Sequence, residues 1–385
     1  MRPQHIAMAG QKRALIRINV EEEVPFEMSL KASASRSPSL VICCTDFADP
    51  RWRWIEGPLS DTGIRFEFVS AVPRNLVERG ISFLNFARLR ASFAAVRLAR
   101  EKQAHAIVSH GPTLAAWCAL FARLLRQKTP IVAYAFNFAE LPSAVKRRAL
   151  GWMLSNVDRL VVFSQLERSL YAKVFDLPEE QFDVILWGAN PPDVGSPEAP
   201  LEPGEYVCAI GGNALDYGTL IEAARLTPHI RYICVVRPHS LRGLDIPSNV
   251  KVHTNLLFGE AMNILKHSRF MVLPLLHSEV PCGHVTMVAA MHLGKAFIIT
   301  DSDGVSDYVR DGYNAITVPP QSAAALVGAT ERLWNAPAFC KGLGENGRCF
   351  ARQECTEERV VRHFRGWLKA TGLAVAEAAP AESGK

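Results

Sequence analysis

The chain has 385 residues, 49% hydrophobic and 21% charged, with 43 Lys or Arg against 38 Asp or Glu and a formal net charge of +5. That length is too great for one ordinary core and suits two α/β domains, and the composition is globular, not disordered. No apolar run reaches the roughly 18 residues that a membrane span needs, and the nine cysteines include no CxxC pair and no zinc spacing.

In chain order, residues 1–37 come first. They hold basic residues and the run Glu21 to Glu23 but no apolar h-region, so they read as a poorly ordered extension and not as a secretion signal. Strand-like runs follow at 40–44, 65–70, 105–109, 130–136, 160–163 and 183–187, with helical patterns between them. Near-continuous apolar strands separated by helices predict a parallel sheet covered on both faces. This first domain is placed at 38–195. A Pro- and Gly-rich stretch without periodicity, 189–205, reads as a linker. A second series runs through 206–210, 230–236, 250–253, 269–275, 296–300 and 315–319, with helices at 216–226, 258–267, 285–293 and 321–335. It defines a second domain at 196–356. An amphipathic helix at 357–373 is expected near the domain junction, and 374–385 as a disordered tail. The expected class is α/β, two Rossmann-like domains facing a central cleft, with ligands outside the carboxyl ends of the strands. Cys43, Cys44, Cys208 and Cys234 sit in apolar runs, as reduced, buried cysteines of a cytosolic protein would.

The most informative stretch is 283–319. Gly283 precedes an apolar helix, and Gly304 precedes what reads as a second helix start. A glycine before a helix frees backbone N–H groups to point at an anion, and the helix dipole adds partial positive charge. Gly283, His284 and Thr286 at one start, and Gly304, Val305, Ser306 and Asp307 at the other, are therefore candidates for holding a diphosphate. His284 alone reads equally as a surface histidine, and Asp307 as an acid favoured by the dipole. Gly211 and Gly212 follow a strand and precede a helix; they read either as a phosphate turn or as an ordinary βα turn. Arg237 and, behind it, His239 end the next strand, as a surface charge or as a cation for the diphosphate. His110 ends a buried strand, with Gly111 and Pro112 opening a helix; it reads as packing or as a contact to sugar or acceptor. Asn137, Glu140, Ser164 and Glu167 end the following strands. Asp301, Asp303 and Asp307 would bind Mg²⁺ only if they converged with nucleotide phosphates.

Three pieces carry a family resemblance: SQLERSLYAKVFDLPEEQFDVILWGANPP, AIGGNALDYGTLIEAA and GHVTMVAAMHLGKAFIITDSDGVSDYVRDGYNA. In this order they resemble the retaining family-4-like (group 1) glycosyltransferases of the GT-B fold. The resemblance covers roughly residues 38 to 370. It implies a UDP- or GDP-linked sugar as substrate in the second domain, with Gly211, Gly212, Arg237, Gly283, His284, Thr286, Gly304, Val305 and Ser306 around it. It implies an acceptor, glycan or polyprenyl-linked, on the first domain near Asn137, Glu140 and Ser164. It also implies catalytic roles for His110 and Asp307, no metal, and no cofactor beyond the donor. Three residues at two places depart from the pattern. Leu215 and Tyr217 stand where a basic residue often follows the glycines. Ala289 stands where the family's second glutamate accepts hydrogen bonds from the nucleotide ribose. The expected activity is sugar transfer in surface polysaccharide synthesis; the alternative is a weak or inactive homologue that binds a glycan or a partner.

From Arg74 to Arg148 there are thirteen basic residues and three acidic ones, interleaved with Phe83, Leu84, Phe86, Leu89, Phe93 and Val96. This run reads as a solvated helix face over a core stripe or as a surface for anionic lipid. No nucleic-acid motif accompanies it. The expected location is cytoplasmic, peripheral on the inner face of a membrane.

Overall fold

The computed structural model describes residues 39–49, 54–74, 78, 86–138, 140–195, 199–211, 215–276 and 282–373. The extension 1–37, the tail 374–385, Gly212, Phe83 and Leu84 lie outside the described residues.

Six apolar runs pair into a first, all-parallel sheet: β1 (Leu40–Thr45), β2 (Arg65–Ser70), β3 (Ala106–His110), β4 (Ile131–Tyr134), β5 (Arg159–Val162) and β6 (Phe182–Val184), in the order β2-β1-β3-β4-β5-β6. Parallel strands need crossovers, and four helices supply them: α1 (Phe86–Glu101), α2 (Pro112–Leu124), α3 (Ala144–Leu154) and α4 (Gln165–Phe175). All four pack on one face, where Ala95, Leu114, Leu154 and Tyr171 meet Ile42, Ile107 and Ala133. A second sheet repeats the plan with β7 (Val207–Ile210), β8 (Tyr232–Val236), β9 (Val250–Thr254), β10 (Met271–Leu273), β11 (Phe297–Thr300) and β12 (Ile316–Val318), in the order β12-β11-β10-β7-β8-β9. Here α6 (Phe258–His267) and α7 (His284–His292) cover one face, and α5 (Tyr217–Leu226) and α8 (Ala323–Asn335) the other. The strand order reverses between β1 and β3 and between β7 and β10. Each reversal opens a crevice at the carboxyl edge of its sheet.

Two features depart from the sequence reading. Helix α9 (Pro337–Glu354) was not among the expected elements, because its KGLGENG run looks like a loop. Two of those glycines serve contact instead: a Cβ on Gly344 would stand 2.2 Å from the Gly294 carbonyl oxygen just past α7, and one on Gly347 would stand 3.4 Å from Met291 Cγ. The expected second helix at Gly304 is only a 3₁₀ turn, Asp303–Val305. The buried Asn314 side chain accepts from the Arg310 N–H at 2.8 Å and donates to the Tyr308 carbonyl at 2.9 Å, so it turns the backbone where a helix would have run straight.

The last helix, α10 (Glu357–Ala370), packs on the other face of the first sheet. Val361, Phe364, Trp367 and Leu368 cover Val41, Val108 and Val132 there. The Tyr134 hydroxyl donates to His363 Nδ1 at 2.8 Å, and His363 Nε2–H donates to Asp183 at 3.1 Å. The linker is anchored by Glu202, only 2% exposed, which accepts from Arg231, from Lys251 at 2.6 Å and from His253 at 2.7 Å.

Phe364 is fully buried under β1 to β4. Phe364→Ala should cost about 3–5 kcal/mol of unfolding free energy by urea titration. A loss under about 1 kcal/mol would mean that α10 is not part of this core.

Candidate functional site

The crevice of the second sheet lies between β7 and β10. Gly211 follows β7, and its N–H bonds the Val235 carbonyl at 3.1 Å. Leu215 lies against it, since a Cβ on Gly211 would meet Leu215 Cδ1 at 2.8 Å. Leu215 also bridges to Leu275, just past β10. Tyr217, 4% exposed, donates its hydroxyl to the Gly211 carbonyl. The place where a cation was sought is thus filled by an aliphatic chain and a tethered phenol. Arg237 stands exposed just past β8, the strand paired with β7, and His239 is exposed beside it.

Helix α7 starts at this crevice. Its N-cap Gly283 has φ 83°, and a Cβ there would lie 3.1 and 3.2 Å from methyls of Leu273 and Leu275. Only glycine combines that backbone with that approach. Thr286 in the first turn is half-buried and Val285 is exposed. His284 turns inward: it is 4% exposed, its Nε2–H donates to the Gly304 carbonyl at 3.3 Å, and its ring lies against Phe163 and Tyr308. Burial lowers its pKa to about 4 against the opposing bond to Gly304, so it is neutral at pH 7. His284 therefore holds the 302–305 turn and does not present a cation. Gly304 and Val305 are buried, and exposed Ser306 donates its hydroxyl to the Asp303 carbonyl at 2.8 Å. Ala289, 6% exposed, is packed inside the helix cluster. Among the described residues no three His, Cys, Asp or Glu are grouped as metal ligands.

The turn after β11 reaches the loop after β5, so the carboxyl edges of the two sheets meet. Asp307 Oδ2 accepts the Gln165 N–H, first of α4, at 2.7 Å, where the helix dipole favours a carboxylate. The Tyr308 hydroxyl donates to the Phe163 carbonyl and accepts from the Trp187 N–H, both at 2.8 Å. Ser164 is buried and caps α4 through the Glu167 N–H at 3.1 Å. Glu167 is fully buried and accepts the Phe163 N–H at 2.6 Å; burial raises its pKa to about 7 against these donors. In the first sheet, His110 ends β3 half-buried, 5.5 Å from the Phe47 ring. Burial lowers its pKa, with Asp46 opposing. Asn137 and Glu140 are exposed past β4.

The structure thus gathers Gly283, His284, Gly304, Asp307 and Ser164 around one contact between the sheets. Tyr308, its centre, was not singled out from the sequence. Its partners Phe163 and Trp187 are 145 and 121 residues away, and nothing in a local pattern reports such a bond.

Two buried groups predict opposite pH slopes. An unfolded glutamate releases its proton near 4.5, but Glu167 does so near 7, so stability falls as pH rises between those values. His284 is held neutral down to about 4 although it titrates at 6.5 when unfolded, so stability falls as pH drops through that window. Glu167→Gln removes the first slope. Urea titrations of the variant should show stability rising from pH 4 to 6.5 by up to about 1.4 kcal/mol per unit. Identical pH profiles for parent and variant would sink the Glu167 assignment, and a variant whose stability does not rise over pH 4 to 6.5 would sink that of His284.

Residues 32–188 match the glycosyl transferase 4-like domain, and residues 222–336 match the glycosyl transferases group 1 family. No curated protein matches the chain. Among solved structures, a glycosyltransferase from Rickettsia africae is similar with 11% identity and TM-score 0.67, covering 87% of this chain and 99% of that one. Sucrose-phosphate synthase from Thermosynechococcus elongatus is similar with 16% identity and TM-score 0.66, over 86% and 98%. Anabaena HepE, solved with UDP, is similar with 14% identity and TM-score 0.64, over 86% and 99%. These likenesses show the fold, and the two family matches fall one on each sheet. The chain belongs to the group 1 glycosyltransferases of the GT-B fold.

Proposed function

We propose that the protein is a metal-independent, retaining transferase. It moves a sugar from a UDP- or GDP-linked donor to a glycan or lipid-linked acceptor, in the cytoplasm, for surface polysaccharide. The observation that carries this reading is the glycine-led start of α7 at the β7–β10 crevice, opposite the carboxyl edge of the first sheet. Gly283 and Thr286 would receive the leaving diphosphate, with Gly211 alongside and Arg237 supplying charge. His110 and Asn137, at the ends of β3 and β4, would meet the acceptor. Such a site works by positioning and by stabilising the leaving phosphate more than by a strong base. Asp307 contributes by closing the two edges on each other through Gln165.

A second reading, a homologue that binds without transfer, is favoured by three particular residues. Leu215 and Tyr217 replace the expected cation, and Ala289 cannot accept a hydrogen bond from a ribose.

Titration calorimetry with UDP, GDP and ADP in EDTA should show binding of at least one nucleotide. Binding that appears only with Mg²⁺ or Mn²⁺ would overturn the metal-free site. A charge-assisted contact is worth about 1.5–3 kcal/mol, so Arg237→Ala should weaken binding roughly ten- to a hundredfold. An unchanged dissociation constant returns Arg237 to the surface. Ala289→Glu restores the missing acceptor and should tighten nucleotide binding by a similar factor. If it does not, and neither form consumes any donor, the binding-only reading stands.

A further inference from the structure

We propose that the outer surface of α1, α2 and α3 docks on an anionic phospholipid membrane. The three helices lie side by side, and their inner sides are occupied by the core of the first sheet. Their outer sides keep large apolar groups in solvent: Phe86 38%, Phe93 40%, Leu124 65%, Trp152 56% and Val145 82% exposed. A groove of about 610 Å³ between α1 and β2, lined by Leu89, Phe93, Leu98 and Phe121 with Arg90 and Arg97, opens beside them.

The charge is one-sided. Residues 86–155 hold eleven Lys or Arg and two acids, Glu101 and Glu140. Some of the cations are neutralised locally, as Arg97 is by Glu101 at 2.9 Å and Lys102 by Glu67 at 2.8 Å. Arg100, Arg126, Lys128, Lys146 and Arg148 are exposed and form no ion pair with another described residue. Near them the Arg123 guanidinium lies 4.5 Å over the exposed Trp152 ring. A merely solvated helix face alternates its charges and keeps its large apolar groups inward. Indole, aliphatic tips and unpaired cations on one surface match the headgroup layer of an anionic leaflet, where apolar tips insert and cations meet phosphate. The N-termini of α1 and α3, with Phe86, Val145 and Lys146, lie at the carboxyl edge of the first sheet, so docking brings the rim of its crevice to the lipid. The surface involves none of the donor-side residues and stands whether or not the chain catalyses transfer.

The test is sedimentation of the full chain with phosphatidylcholine vesicles, with and without phosphatidylglycerol. Binding is expected only with phosphatidylglycerol and should weaken as salt rises. Each cation near an anionic surface is worth about fivefold in affinity, so replacing three of them, Arg126→Gln, Lys146→Gln and Arg148→Gln together, should lower it roughly a hundredfold. Trp152→Ala should lower it severalfold while leaving the salt dependence in place. All these side chains are exposed, so circular dichroism and the melting temperature should match the parent. Equal recovery with both vesicle types, undiminished binding by the triple variant, or retention on nucleic acid with none on vesicles would each overturn the proposal.

Discussion

The hydroxyl of Tyr308 joins the two halves of this molecule. It donates to the carbonyl that follows β5 and accepts from the Trp187 N–H at the start of the interdomain connection. Both bonds are made by a side chain only 1% exposed, where water cannot replace them. With the ring fixed, Asp307 falls on the first N–H of α4, and His284 is confined between Tyr308 and Phe163. Tyr308 and Asp307 together hold the two carboxyl edges against each other.

The polar groups around that contact are engaged with one another and with backbone. Ser164 caps a helix, His284 is neutral and engaged with Gly304, and Glu167 is poised between its two protonation states. Among the described residues, what remains for an anion at the second sheet is mainly backbone. Leu215 and Tyr217 put an aliphatic chain and a tethered phenol beside Gly211, and Ala289 is packed inside the helix cluster. A donor diphosphate held this way would depend on the dipole of α7 and on whatever Arg237 contributes, since amide donors alone are weaker than charge-assisted ones.

Much of the fold was legible in the sequence because parallel strands buried on both faces must be apolar throughout. All twelve strands fall within or beside the runs that predicted them. Helix α9 escaped because its glycines, of which Gly344 and Gly347 lie against the end of α7, imitate a loop. The candidate site was legible only in part. Glycine before a helix leaves a local signature, so Gly283 could be found. The inward turn of His284 and the reach of Tyr308 to Phe163 depend on tertiary neighbours and leave no such trace.

Helix α10 has a consequence for how the chain is made. It is the last described element in sequence, yet it seals β1, β3 and β4, which are among the first. Domains usually fold in the order in which they leave the ribosome. Here the amino-terminal domain cannot finish first. Val41, Val108 and the His363 partner Tyr134 wait uncovered until residues 357–370 have been synthesised, so the second domain is the one able to complete its core earlier. Emergence of residues 357–370, not of the first sheet itself, is then the step that closes this protein's hydrophobic surface.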